Sequence, residues 1–210
     1  AGTCPEYNNI NFNFLPELSE LSMGILPHTV QTYGFNDASS GTYGQSNFTF
    51  MFDWMHNIAI EQPNRINLFY GETAYWVNYD INVPLFLPLY GDRRISDLRQ
   101  MKNVENENVK FSGQMNFCSG WEWGYWIQEV MTARASWSVL GTSEGSQEDA
   151  LREAFIPIVN TLAGRNLTSA TMFSDFLIKY ISVQKQLLIN GTFDDDKNND
   201  KNNDKNNDKN

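Results

Sequence analysis

Between Cys118 and Trp137 the chain reads CSGWEWGYWIQEVMTARASW, with four tryptophans, one tyrosine and two glutamates in twenty residues. Trp121, Trp123 and Trp126 crowd around Glu122. Two further carboxylates hold comparable positions. Asp37 follows an alternating stretch and Glu72 follows an apolar one. Paired carboxyl groups can flank a glycosidic bond, one as acid and the other as nucleophile or base. Flat rings suit the same chemistry. Sugars present an apolar CH face on which Trp or Tyr can stack. A ring that excludes water also raises the pKa of a nearby carboxyl, which keeps a general acid protonated near neutrality. Glu72 and Glu122 are therefore the candidate catalytic acids. Trp121, Trp123, Tyr125 and Trp126, with Tyr75 and Trp76 across from them, form a candidate sugar platform, and Asp37 is a candidate substrate contact.

Each of these residues also has a plainer use. Alternate residues of WEWGYW can face a core while Glu122 meets solvent or caps the following helix. An acid at the end of a buried strand, as Glu72 is, needs a reason to be there. Asn36-Asp37 is ordinary turn chemistry. Asp80 and Asp92 could bind hydroxyls or a cation, yet both read as loop residues. Arg93 and Arg94 read as the start of a helix. Arg134 either pairs with a site acid or sits on a solvated face. His28, at the start of its strand, reads as structural, and His56 as exposed or half-buried in mid-helix. No Ser/His/Asp or Cys/His constellation supports acyl transfer. GTYGQS lacks the lysine and spacing of a phosphate loop.

Three stretches must position these residues. HTVQTYGF (28–35) alternates and reads as a strand. RINLFYGET (65–73) is nearly all apolar, as in a strand buried on both faces. VKFSGQMNFC (109–118) is the third. A helix separates each from the next. One is capped by Ser46 and carries Phe48, Phe52, Met55 and Ala59 at helical spacing, ending at Pro63. The second is RRISDLRQM (93–101). After the third strand a helix runs from about Trp126 to Trp137. Pro84 and Pro88 argue against a central strand in the aromatic connection between Ala74 and Asp92. This alternation predicts parallel βαβ units. Ligands of such folds sit at the carboxyl ends of strands. Strand spacing would then set acids on neighbouring strands about 5–10 Å apart. Beyond Gly145 two helical stripes follow, Ala150–Leu162, kinked at Pro157, and Met172–Leu188, entered from Thr168 or Ser169. Their apolar residues read as core.

The chain has 210 residues and a net charge of −10, with 14% aromatic residues. Its tail, DDDKNNDKNNDKNNDKN, has no apolar residue and reads as disordered, so the organisation expected is 1–145, 146–190 and a tail over 191–210. No basic cluster exists, which disfavours nucleic acid. No run of about 18 apolar residues exists to span a membrane. Two cysteines, Cys4 and Cys118, leave a disulfide and two free thiols equally open. Two Cys and two His without ligand spacing predict no metal, and no cofactor is expected. Sequons at Asn47, Asn166 and Asn190 lend mild support to a secreted or extracellular protein. The chain opens on Ala1 without an initiator Met or a signal peptide, and reads as processed or as an excerpt of something longer.

RINLFYGETAYW resembles a late strand of a (β/α)8-barrel glycoside hydrolase, ending in a glutamate. GQMNFCSGWEWGYW resembles the last strand of such a barrel, with a tryptophan-rich end that floors a sugar site. The resemblance covers about 60 to 110 residues and implies a nucleophile role for Glu72 alone. The partner acid of such enzymes comes from a middle strand, which either lies outside this chain or is replaced by Glu122 or Asp37. A complete barrel takes about 250 residues. The expected fold is therefore α/β, a partial (β/α)8-like barrel made of its last βα units, with C-terminal helices. The expected function is carbohydrate processing by paired carboxylates. The alternatives are a non-catalytic carbohydrate-binding or secreted surface glycoprotein, and a purely structural domain with an aromatic core.

Overall fold

Alternation of side chains along RINLFYGET decides the architecture. A computed structural model describes residues 3–30, 33–38, 46–73, 86–117, 122–138 and 145–190; for Glu122 and Trp123 only the backbone is described. The expected tail and the Tyr75–Trp76 stretch lie outside these residues, as do Trp121 and Cys118 with its possible partnership to Cys4.

Five short strands and five α-helices are present among the described residues. Strands β1 (Thr3–Cys4) and β2 (Ile10–Asn11) form a small antiparallel ribbon. A 3-10 stretch, Phe12–Leu18, follows. The main sheet is parallel and runs β3 (His28–Thr29), β4 (Leu68–Glu72), β5 (Gly113–Phe117), with neighbours in chain order. It is not closed into a barrel. The crossing helices are α1 (Thr49–Glu61), α2 (Leu89–Val104) and, after β5, α3 (Glu122–Trp137). Two more, α4 (Gln147–Leu162) and α5 (Leu167–Gln184), complete the chain, and α5 runs on into a π-helical turn, Lys185–Ile189.

All three crossing helices lie on one face of the sheet. Side chains alternate across a strand, and in β4 Phe69 is fully buried while Leu68, Tyr70 and Glu72 are half-buried. Phe69 joins the helical core, 4.7 Å from Phe35. Asn67 donates to the Met55 carbonyl of α1 at 2.7 Å. A methyl group on Gly71 would meet Arg94 of α2 at 2.7 Å. Gln114 of β5 donates to Thr132 O and Ser136 Oγ of α3. Helices α4 and α5 then pack on α2 and α3 as a third layer. One apolar cluster runs from Phe69 and Leu98 through Ile127 and Met131 to Phe155 and Leu177, so both expected segments, 1–145 and 146–190, share a core.

Several boundaries differ from expectation, for local reasons. Of the strand expected over 28–35, the described residues that pair in the sheet are His28 and Thr29, and the chain turns at Gly34–Asp37, where Asp37 N donates to Gly34 O. Ser46 does not cap α1. Asn47 does so from just outside, accepting from Thr49 N at 3.0 Å. Helix α2 begins at Leu89, four residues before Arg93, because Pro88 supplies a preset φ and needs no donor at a helix start. Asp92 is therefore helical and fully buried, not a loop residue. Helix α3 begins at Glu122, and Trp123, Tyr125 and Trp126 of the aromatic run expected to floor a site fall in its first turns. Helix α4 is closed by a reciprocal cap between Ser146 and Asp149, and Asn166 caps α5 by accepting from Ser169 N at 3.0 Å.

Candidate functional site

The face of the sheet away from α1, α2 and α3 carries its own row of side chains. Register sets His28 beside Tyr70, Tyr70 beside Met115, and Glu72 beside Phe117. Partners in a parallel pair share a face, so these residues form one surface. The rings of His28 and Tyr70 are 6.3 Å apart, and those of Tyr70 and Phe117 are 6.4 Å apart. Met115 is 44% exposed there, and Glu72 stands half-buried at the carboxyl end of the middle strand. Burial lowers the pKa of His28, so its imidazole is neutral at pH 7.

Behind Glu72 lies an ion-pair cluster on α2. Arg94 is fully buried. Its Nη1 donates to Thr29 Oγ1 at 2.7 Å and to the Glu72 carbonyl at 3.2 Å. Its Nη2 donates to the Tyr33 carbonyl and faces Asp97 Oδ2 at 2.9 Å. Its guanidinium also lies 5.6 Å from the centre of the Phe69 ring. Asp97 accepts from Phe35 N at 2.9 Å. Burial pushes the Asp97 carboxyl up to about 7, against the pull of Arg94 and the Phe35 N–H. One helix thus ties together the ends of β3 and β4 and the turn after β3.

Asp37 is engaged by the chain itself. Its Oδ2 accepts from Gly34 N at 2.7 Å and pairs with Arg93 Nε at 2.9 Å. Asp92 pairs with Lys185 Nζ at 2.9 Å and accepts from Gln147, which fixes α2 to α4 and to the turn after α5. Arg94, Asp97 and Asp92 carry the strongest side-chain architecture here. The sequence shows them only as charges on a short helix. Their one signal is position, since Arg94, Asp97 and Leu98 share a helical face with Ile95 and Met101 nearby.

The expected site residues divide as follows. Glu72 ends β4, whereas Asp37 lies in the turn at Gly34–Asp37, eight residues beyond the end of β3. Glu122 opens α3, five residues beyond the end of β5, with its side chain outside the described set. Trp121, Tyr75, Trp76 and the side chain of Trp123 also lie outside the described residues. Tyr125 is not part of a platform. It is fully buried between α2 and α3, its ring edge-on to Tyr90 at 6.1 Å. Trp126 is partly buried against the main core. Arg134 is exposed on α3. His56 is half-buried and stacks on Phe52 at 6.1 Å. Among the described residues no group of three or more His, Cys, Asp or Glu could hold a metal ion, and no helix is long and apolar enough to cross a membrane.

No protein-family model, no curated protein and no solved structure matches this chain.

Proposed function

We propose that this chain is a carbohydrate-processing protein of glycoside hydrolase type, built as part of a (β/α)8-like barrel. The architecture is supported by three parallel strands in chain order with every crossing helix on one face. In a barrel the helices form an outer ring and the other face lines the inside. The observation that carries the function is the position of Glu72. It ends the middle strand, on the face away from the crossing helices, with Tyr70 and Phe117 beside it. In this reading Glu72 either attacks the anomeric carbon, giving a glycosyl-enzyme that water then hydrolyses, or takes a proton from the water that attacks that carbon directly. Glu122 gives its proton to the departing glycosidic oxygen as the C–O bond breaks. Tyr75, Trp76, Trp121 and Trp123 supply the stacking surface.

The test is hydrolysis of a panel of oligosaccharides, followed by mass spectrometry of released sugars, with wild-type protein beside Glu72→Gln. The substitution keeps shape and removes the reactive charge. It is expected to abolish turnover and leave sugar binding largely intact. Undiminished turnover in the variant refutes the assignment. A non-catalytic carbohydrate-binding role is the second reading. It is favoured by the engagement of Asp37 with Gly34 and Arg93, which removes one of three candidate acids. Binding without turnover by the wild-type protein selects it.

A further inference from the structure

At the outer edge of β3 lies a cavity of about 580 Å³. Its walls come from three separate pieces of chain. The 3-10 stretch gives Phe12, the start of β3 gives Leu26 and His28, and α1 gives Phe50, Met51 and Trp54. Among the described residues no Asp, Glu, Lys or Arg lines it. Its polar lining side chains are the neutral imidazole of His28 and the amide of Asn13.

The walls are fixed in place. Arg65, buried at the start of the β4 segment, donates to the carbonyls of Pro16 and Met23 at 3.0 Å and of Ser19 at 2.6 Å. These bonds fasten the 3-10 stretch to the sheet. Trp54 Nε1 donates to Glu17 Oε2 at 2.8 Å, which turns the indole face and not its N–H toward the cavity's contents. Phe14 wedges behind, 5.3 Å from Trp54 and edge-on to Phe50 at 6.1 Å. Phe12 and Leu26 are 51% and 47% exposed there, so apolar wall surface is open to cover by a guest.

We infer that this cavity binds a small uncharged ring compound carrying at most one or two polar groups. The volume falls within the roughly 300–1,000 Å³ of small-molecule sites. Flat walls on α1 and the 3-10 stretch favour a flat guest, in offset or edge-on contact. None of the described lining residues is charged, so a desolvated charge would find no partner among them, which disfavours an ionic guest. A sugar, with a hydroxyl on nearly every carbon, would leave most of them unpaired against two polar side chains. The cavity therefore takes a different ligand class from the one proposed for Glu72.

The probe is 2-naphthol, titrated into full-length protein carrying ¹³C-methyl methionine. Saturable shifts of the Met51 methyl, with cross-relaxation from naphthol ring protons to that methyl and none to Met115, are expected. Naphthalene-2-sulfonate and maltose are expected to bind at least tenfold more weakly. Leu26→Trp fills the cavity from a half-exposed position, and Phe12→Arg sets a cation at its mouth. Each is expected to weaken naphthol at least tenfold. Unchanged Met51 resonances, or sulfonate binding as well as naphthol, overturn the inference. A dimer in sedimentation that Leu26→Trp dissociates also overturns it, by assigning the cavity to a second copy of the chain. None of these outcomes depends on turnover at Glu72, so the two readings stand or fall separately.

Discussion

Arg94 and Asp97 face each other one turn apart on α2, with Nη2 and Oδ2 2.9 Å apart and both side chains withdrawn from water. The pair sits where β3 and β4 end, and it holds the Glu72 main chain through its carbonyl. A buried pair of this kind adds little net stability over an apolar substitute, but breaking it is costly. Its value here is positional.

Asp97→Leu leaves the Arg94 charge buried without its carboxylate and orphans the Phe35 N–H. At pH 8 it is expected to cost about 3–5 kcal/mol. Adding Arg94→Met to that variant is expected to restore most of the loss, since both charges then leave together. Urea denaturation of the two single variants and the double variant measures the coupling. Simple additivity would contradict the pairing.

Stability will also depend on pH through Asp97. Burial holds its carboxyl at about 7, above its ordinary 3.8, so the folded chain keeps a proton that the unfolded chain releases. The favourable contribution is full below about pH 4 and is lost as pH rises through about 7. Asp97→Asn mimics the protonated form and does not titrate. Across pH 4 to 7.5 the wild-type protein is expected to lose stability relative to this variant. A flat difference between the two urea midpoints would argue against it.

Gly71 is where β4 passes closest to α2. A methyl group there would sit 2.7 Å from Arg94 Cδ and 2.8 Å from its Nη1. Gly71→Ala is therefore expected to push the guanidinium off Thr29 and the Glu72 carbonyl, at about 1–3 kcal/mol. Thermal denaturation reads the cost. Loss of hydrolytic rate beyond what unfolding explains would show that the Arg94 contact positions Glu72.

Tyr125 offers a check on the division between core and platform. It is fully buried against Tyr90, so Tyr125→Ala is expected to cost about 3–5 kcal/mol. If the proposed carbohydrate function holds, the folded variant is expected to keep the oligosaccharide affinity of the wild type. A tenfold loss of affinity in a folded variant would return Tyr125 to the sugar site.

The alternation of strand and helix was legible because each segment carries its own period. Phe52, Met55 and Ala59 recur at helical spacing, and Phe69 lies inside an unbroken apolar run. That pattern yields parallel β3–β4–β5 and the trailing helices. It cannot reveal that all crossing helices take one face, since the fully apolar run of β4 suggested cover on both. Tyr125 was misread for a related reason. Glycines and crowded rings between Ser119 and Trp126 look like a loop, whereas Gly124 and Tyr125 are buried in α3. The Arg94 cluster escaped because an arginine is counted as surface until its partners are known, and those partners lie as far as 65 residues away in sequence.

Strand β4 has a neighbour on either side, while β3 and β5 each have one within the described sheet. Amide protons along Phe69–Gly71 will consequently be among the last to exchange with deuterium, and those of the flanking strands will go sooner. Glu72 thus ends the strand that has a partner on each side in the described sheet, and its main chain is expected to open later than those of β3 and β5.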